Sequence, residues 1–173
     1  MHQGRFSGLR IASTRSSCPT QMPEVRSTVE FEASVSVDRP AEDVWKFITD
    51  WSNAQKWMPD ALEVKQTSAG PLGLGTTIQS RWQSTRMPKG ASRITEYEPC
   101  RKITLENTSP QLIRGSKQSF GLENIEGKTK LKIAWEVRIN GFYRLVGPLL
   151  VGRLRKSNEA MVSNVKRILE SQS

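Results

Sequence analysis

Few residues in this chain have the type and spacing that chemistry requires. The only histidine is His2. No other side chain titrates between pH 5 and 8 without perturbation, so triads and zinc sites built on histidine are excluded. Cys18 and Cys100 lie far apart with no C-x-x-C between them, so the spacing of a metal or redox pair is missing. An isolated cysteine behaves mostly as a small hydrophobe. Cys100, in Glu98-Pro99-Cys100-Arg101, reads as part of a turn, and no base stands beside it. The one carboxylate that could serve as a proton acceptor is Glu96, with Arg93 or Arg81 as oxyanion partners. It sits in Ile94-Thr95-Glu96-Tyr97, where a one-residue bulge would turn it toward solvent. Gly70-Pro71-Leu72-Gly73-Leu74-Gly75 is glycine-rich, but a phosphate loop must open a helix. Here a strand follows, so the segment reads as a hairpin loop.

A second group of residues could bind rather than react. Ser80, Ser116 and Gln118 fall on strand positions that alternation points inward, beside Trp82, Phe120 and Trp135. An apolar pocket with a few polar anchors is the usual anatomy of a small-molecule site. The same aromatics would equally serve as plain core.

The elements that must position these residues are read from periodicity. Val29, Phe31, Ala33, Val35 and Val37 alternate with polar residues, which predicts a half-buried strand. Asp38 to Asp43 reads as a helix start, with Pro40 in the first turn and Glu42 and Asp43 at the positive helix end. Val44, Trp45, Phe47 and Ile48 form its apolar side; a second short helix runs to about Trp57. Strands are predicted over 62–67, 76–84, 91–98, 102–107, 113–125 and 128–140. A long helix closes the chain, with an apolar stripe that is wide before Leu154 and thin after it. Gly147-Pro148 should kink or interrupt it early. Strand, two short helices, six strands in meander and a long helix make an α+β fold with an antiparallel sheet. A long twisted sheet curls, so the last helix can lie in its concave side and leave a gap there.

The 173 residues, 36% hydrophobic and 25% charged with mean hydropathy -0.52, describe an ordinary globular chain. The longest nearly unbroken apolar run, Leu145 to Gly152, is far short of the roughly 20 residues a membrane helix needs. Lys and Arg number 26 against 17 acids, a net charge of +9 that favours acidic partners. Arg153, Arg155 and Lys156 cluster near the end, and could meet an anionic membrane. No aromatic interleaves them, so a nucleic-acid surface is not expected. Residues 1–24 carry Arg5, Arg10 and Arg15 among serines and glycines, with no acid before Glu24. This describes a disordered arm, an organellar targeting segment, or an upstream start codon with true initiation at Met22, leaving 25–170 as the folded domain. Without a secretory core the expected location is cytoplasmic, or organellar if the arm is a transit peptide.

Residues 29–60, from Val29-Glu-Phe-Glu-Ala-Ser-Val-Ser-Val-Asp-Arg-Pro through Trp57-Met-Pro-Asp60, resemble the opening of the START-like, or SRPBCC, superfamily. Its polyketide cyclase/dehydrase branch is the more similar. Later signposts follow in order: Gly70 to Thr76, Ile94-Thr-Glu-Tyr-Glu-Pro99, Gly127-Lys-Thr129 and Lys166-Arg-Ile-Leu-Glu170. The resemblance covers about 27–170. It implies a helix-grip fold, in which a curved antiparallel sheet of about seven strands wraps a long C-terminal helix around a hydrophobic cavity. It does not select among carriers, aromatase/cyclases, chaperone activators and toxins.

Three functions are therefore expected in order. The first is non-catalytic binding or transport of a hydrophobic small molecule, such as a lipid, quinone or polyketide, with no cofactor. Ser80, Trp82, Ser116, Gln118, Phe120, Trp135 and Phe142 would line its site. The second is a cyclase or dehydratase in the same cavity, with Glu96 as base. The third is an adaptor that uses the basic surface on a membrane or ribosome.

Overall fold

The structure, a computed structural model, describes residues 27–83, 88–109, 115–139 and 147–171. Strand β1 (Ser27–Val37) leads into helix α1 (Ala41–Thr49), a 3-10 turn (Trp51–Asn53) and helix α2 (Ala54–Trp57). Strands β2 (Ala61–Gln66), β3 (Thr77–Trp82), β4 (Lys89–Glu98), β5 (Lys102–Asn107), β6 (Lys117–Ile125) and β7 (Lys128–Ile139) follow, then helix α3 (Gly147–Glu170). All seven strands form one antiparallel sheet in the order β1-β7-β6-β5-β4-β3-β2. Six strands meander across the sheet, and α1 and α2 carry the chain from β1 to its far edge. The curled sheet grips α3, the helix-grip arrangement that the resemblance implied.

Local chemistry explains most boundaries. Pro40 sits one position earlier than expected, as the N-cap of α1, with Glu42 and Asp43 in the first turn as anticipated. The Asp50 carboxylate accepts from the Ser52 amide at 3.0 Å and opens the 3-10 turn. Between β6 and β7, Glu126 and Gly127 both have positive φ (52° and 80°). Two such residues make the tight turn whose twist matches the flanking strands. Gly147-Pro148, expected to kink the last helix, instead stands at the start of α3, where proline's missing N–H costs nothing. Strand β6 begins later than predicted, at Lys117. Phe142 and the arm at 1–24 lie outside the described residues.

The inner sheet face and α3 bury each other. Ile94, Ile103, Phe120, Leu131 and Ile133 from the sheet meet Met161, Val162, Val165 and Leu169 from the helix. Helices α1 and α2 close one side with Val44, Ile48 and Trp57. The C-terminal end of α3 is tied to the β1–α1 corner by several polar contacts. The Asp38 amide donates to Glu170 Oε1 at 3.0 Å, Arg39 Nε to the Leu169 carbonyl at 3.0 Å, and Lys166 Nζ to the Ser36 carbonyl at 2.6 Å. Thr129 Oγ1, fully buried, donates to the Arg39 carbonyl at 2.6 Å. The other end is looser: Leu149 is 80% exposed, and Val151 and Leu154 are half-buried. The helix is thus firmly seated at one end and open at the other.

Candidate ligand-binding site

Among the described residues the buried apolar side chains of the inner layer fall into two clusters. A large cluster runs from α1 and α2 across most of the sheet to the C-terminal half of α3. A small one consists of Phe31 and Val137, with Trp135, Val151 and Leu154 packed against them. Two carboxamides stand at the seam. Gln118 pairs across β7 with Trp135, of the small cluster, and across β5 with Leu105, of the large one. Asn158 lies one helical turn after Leu154, of the small cluster, and one turn before Met161 and Val162, of the large one.

Their bonding is incomplete. Asn158 is 1% exposed, and its Nδ2 donates to the Ile133 carbonyl at 2.8 Å. Its Oδ1 is buried and has no partner among the described residues. A buried acceptor left in this state costs about 1–3 kcal/mol. Among the described residues Gln118 Nε2 donates only to the thioether of Met161, at 3.8 Å, a weak acceptor. The Trp51 and Trp57 Nε1 atoms are also buried without partners among the described residues; the Trp57 indole stands edge-on to Phe120, centroids 6.0 Å apart.

Asn158 was missed by sequence reasoning, yet a signal was present. It occupies the position four after Leu154 and three before Met161, on the stripe that faces the sheet. The thinning of that stripe after Leu154 is in part this asparagine replacing a core residue.

The six described residues singled out from the sequence fall at several places on the sheet. Gln118 and Trp135 meet at the seam, both half-buried. Ser80 and Trp82 form a separate pair on β3, where Trp82 Nε1 donates to Ser80 Oγ at 2.9 Å. Gly90 on β4 leaves room for that pair. A Cβ there would stand 2.6 Å from Ser80 Oγ and 3.3 Å from Trp82 Nε1. Phe120 lies deep in the large cluster, against Trp57. Ser116 is buried, but its hydroxyl is occupied, accepting from the Arg138 amide at 2.9 Å just before β6 begins.

Glu96 points away from the helix. The register shift between Ile94 and Glu96 puts Ile94 and Tyr97 inside and Glu96 on the outer sheet face. The Lys102 ammonium at 2.9 Å and the Thr104 hydroxyl at 2.8 Å hold its carboxylate below the ordinary glutamate pKa. A general base for neutral pH needs the opposite shift. Arg81 is paired with Glu63 at 3.2 Å, and Arg93 is exposed. The expected Glu96–arginine catalytic group is therefore not assembled.

Two described depressions also lie on the outer face. One, of about 750 Å³, lies over Ala134, Ser119 and Thr104, short side chains in neighbouring register flanked by Glu30, Glu32, Lys102 and Lys117. The other, of about 520 Å³, lies over β2, β3 and β4, between Glu63, Lys65, Gln79, Arg81 and Lys89. Both are open hollows rimmed by charged side chains, on the sheet face away from α3. Among the described residues no group of His, Cys, Asp and Glu is placed to hold a metal ion, and no helix is long and apolar enough to cross a membrane.

Near the open end of α3, Arg153 reaches Asp60 at 3.6 Å. The Arg155 guanidinium stands 6.0 Å from the ring centroid of Phe31, as a cation over an aromatic face. Lys156 is exposed.

The fold has several solved counterparts. The Zhui aromatase/cyclase from Streptomyces sp. R1128 superposes with a TM-score of 0.69 at 15% identity, covering 83% of this chain and 94% of its own. The di-domain ARO/CYC StfQ from the steffimycin biosynthetic pathway gives 0.70 at 13% identity, over 84% of this chain and 52% of that one. The Aha1 dimer from Colwellia psychrerythraea gives 0.60 at 15% identity, over 80% and 93%. At such identities the likeness is one of fold. No curated protein matches the chain. The model of one family, described as polyketide cyclase / dehydrase and lipid transport, matches residues 28–170, and the chain belongs to that family.

Proposed function

We propose that this protein binds a hydrophobic small molecule, of lipid, quinone or polyketide type, between α3 and the inner sheet face, without transforming it. The observation that carries this reading is the seam: among the described residues, two apolar clusters with the Gln118 and Asn158 carboxamides between them, Asn158 Oδ1 buried without a partner and Gln118 Nε2 against the Met161 sulfur. Apolar walls with a few convergent polar groups fit a binder of greasy molecules. In this reading the guest enters beside the N-terminal half of α3, where Leu149 is exposed and Val151 and Leu154 are half-buried. A cyclase or dehydratase would need an acid or base on this face, and the carboxylate nominated for that role faces outward, held in its charged form.

Native mass spectrometry of freshly purified protein tests the proposal. A non-covalent adduct of lipid-like mass, lost on delipidation and restored by adding back the extract, is expected. Spectra of bare polypeptide from several expression hosts would rule the binding function out.

A second reading concerns where such a molecule is exchanged. Leu149 stands exposed on α3, and Arg153, Arg155 and Lys156 follow it. An apolar tip beside cations is the composition that favours an anionic lipid surface. In this reading the open end of the grip meets the membrane.

A further inference from the structure

We infer that Asn158 and Gln118 together recognise a hydroxyl group on the bound molecule, so that the guest is a neutral alcohol or phenol with an apolar body. The inference rests on the binding function proposed above and specifies its ligand.

The argument is one of unmet valence. Asn158 has used its donor on the Ile133 carbonyl, at 2.8 Å, and what remains is a buried acceptor, Oδ1, with no partner among the described residues. Gln118 retains a donor, Nε2, whose only acceptor among the described residues is the Met161 sulfur at 3.8 Å. Both amides neighbour Met161: Gln118 Nε2 contacts its sulfur, and Asn158 precedes it by about one turn of α3. One site therefore needs a donor and the other an acceptor. A hydroxyl is the smallest group that supplies both at once. A ketone, ester or ether supplies only an acceptor and would leave Asn158 Oδ1 unpaired. A carboxylate would lack a counter-charge, since the buried polar residues are threonines, serines and Asn158, with no buried charge described.

Position supports the same conclusion. Asn158 marks the level at which α3 passes from its open half, with half-buried Val151 and Leu154, to its sealed half, with buried Val162 and Val165. A guest entering from the open end would bring its leading polar group to rest there, its body against Trp135 and Phe31. An unpaired buried carbonyl is costly, and a hydroxyl donated to Asn158 Oδ1 would relieve that cost.

Isothermal titration with naphthol and with its methyl ether provides the test. Wild-type protein is expected to prefer naphthol by about fivefold or more, the usual effect of one satisfied buried hydrogen bond. In Asn158→Leu the preference should collapse to near unity, with the affinity for the ether preserved or improved. A naphthol preference that survives Asn158→Leu unchanged overturns the hydroxyl assignment alone. Failure of wild-type protein to bind either compound overturns the binding function and this inference with it. Should Asn158→Leu fail to fold, the wild-type Asn158 side-chain amide resonances replace it. They should shift on adding naphthol and stay in place with the ether; equal response to both overturns the assignment.

Discussion

Glu96 and Asn158 show what burial does to a polar residue. Glu96 lies on the outer face, keeps much of its water and gathers two partners, Lys102 and Thr104, that favour its charge. Its folded pKa is lowered, so the interaction contributes stability above the ordinary glutamate value of about 4.5 and loses it as pH falls from there through the lowered value. Solvent screens the pair. Glu96→Gln should cost under about 1 kcal/mol at neutral pH, and the difference should vanish in acid below the lowered pKa. Urea unfolding of both proteins at pH 7 and pH 3 measures this, and ligand content should be equal in the two. A large loss of bound ligand in Glu96→Gln would instead place function on the outer face. Asn158 has the reverse circumstances. It is neutral, dry and half-bonded, so no pH change relieves it and only a partner for Oδ1 does.

At the level of elements, the pairing of β3 with β4 shows how a missing side chain positions a present one. Ser80 faces Gly90 across the two strands, and the Trp82 indole hydrogen-bonds the serine above the glycine. Gly90→Ala would force the Ser80 hydroxyl to rotate away from a Cβ at 2.6 Å, breaking that hydrogen bond. We expect a loss of about 1 kcal/mol and a shift in tryptophan emission as Trp82 becomes mobile. An unchanged emission spectrum and unfolding midpoint would mean that Trp82 is not held by Ser80. The elements themselves were legible in the sequence. The alternation of β7 from Leu131 through Val137 defines its two faces, and a bulge at Glu96 follows from the side its neighbours must bury. The site was less legible, because period-two alternation says which residues face inward and not which of them meet. Ser80 and Gln118 share a face but have different partners, and the Ser116 hydroxyl is occupied by a backbone amide beside a strand end. Asn158 escaped because an asparagine on a charged helix reads as surface unless its place on the stripe is followed turn by turn.

On the scale of the whole molecule, α3 divides the protein into a sealed end and an open one. At the sealed end Glu170 takes hydrogen bonds from the Asp38 amide and Lys166, while Arg39 and Thr129 tie the corner of β1 and α1. At the open end the exposed side chains are Leu149, Arg153, Arg155 and Lys156, and Asp60 is the one acid bonded to them among the described contacts. A chain of net charge +9 with an apolar residue at this end should associate with phosphatidylserine-containing vesicles through it. The energy has two separable parts. Each cation near the surface contributes about 1 kcal/mol in weak salt, so Lys156→Glu should reduce binding several-fold. That contribution should fade between about 0.1 M and roughly 1 M salt, as the screening length shrinks from about 10 Å to about 3 Å. The Leu149 contribution is hydrophobic and salt-insensitive, so Leu149→Asp should weaken binding at either ionic strength without lowering thermal stability, since the side chain touches little of the fold. Vesicle flotation with both variants separates the two parts. Equal binding to neutral phosphatidylcholine, or indifference to Leu149→Asp, would show that the open end does not face a lipid surface. The exchange of any guest would then have to proceed through water or another protein.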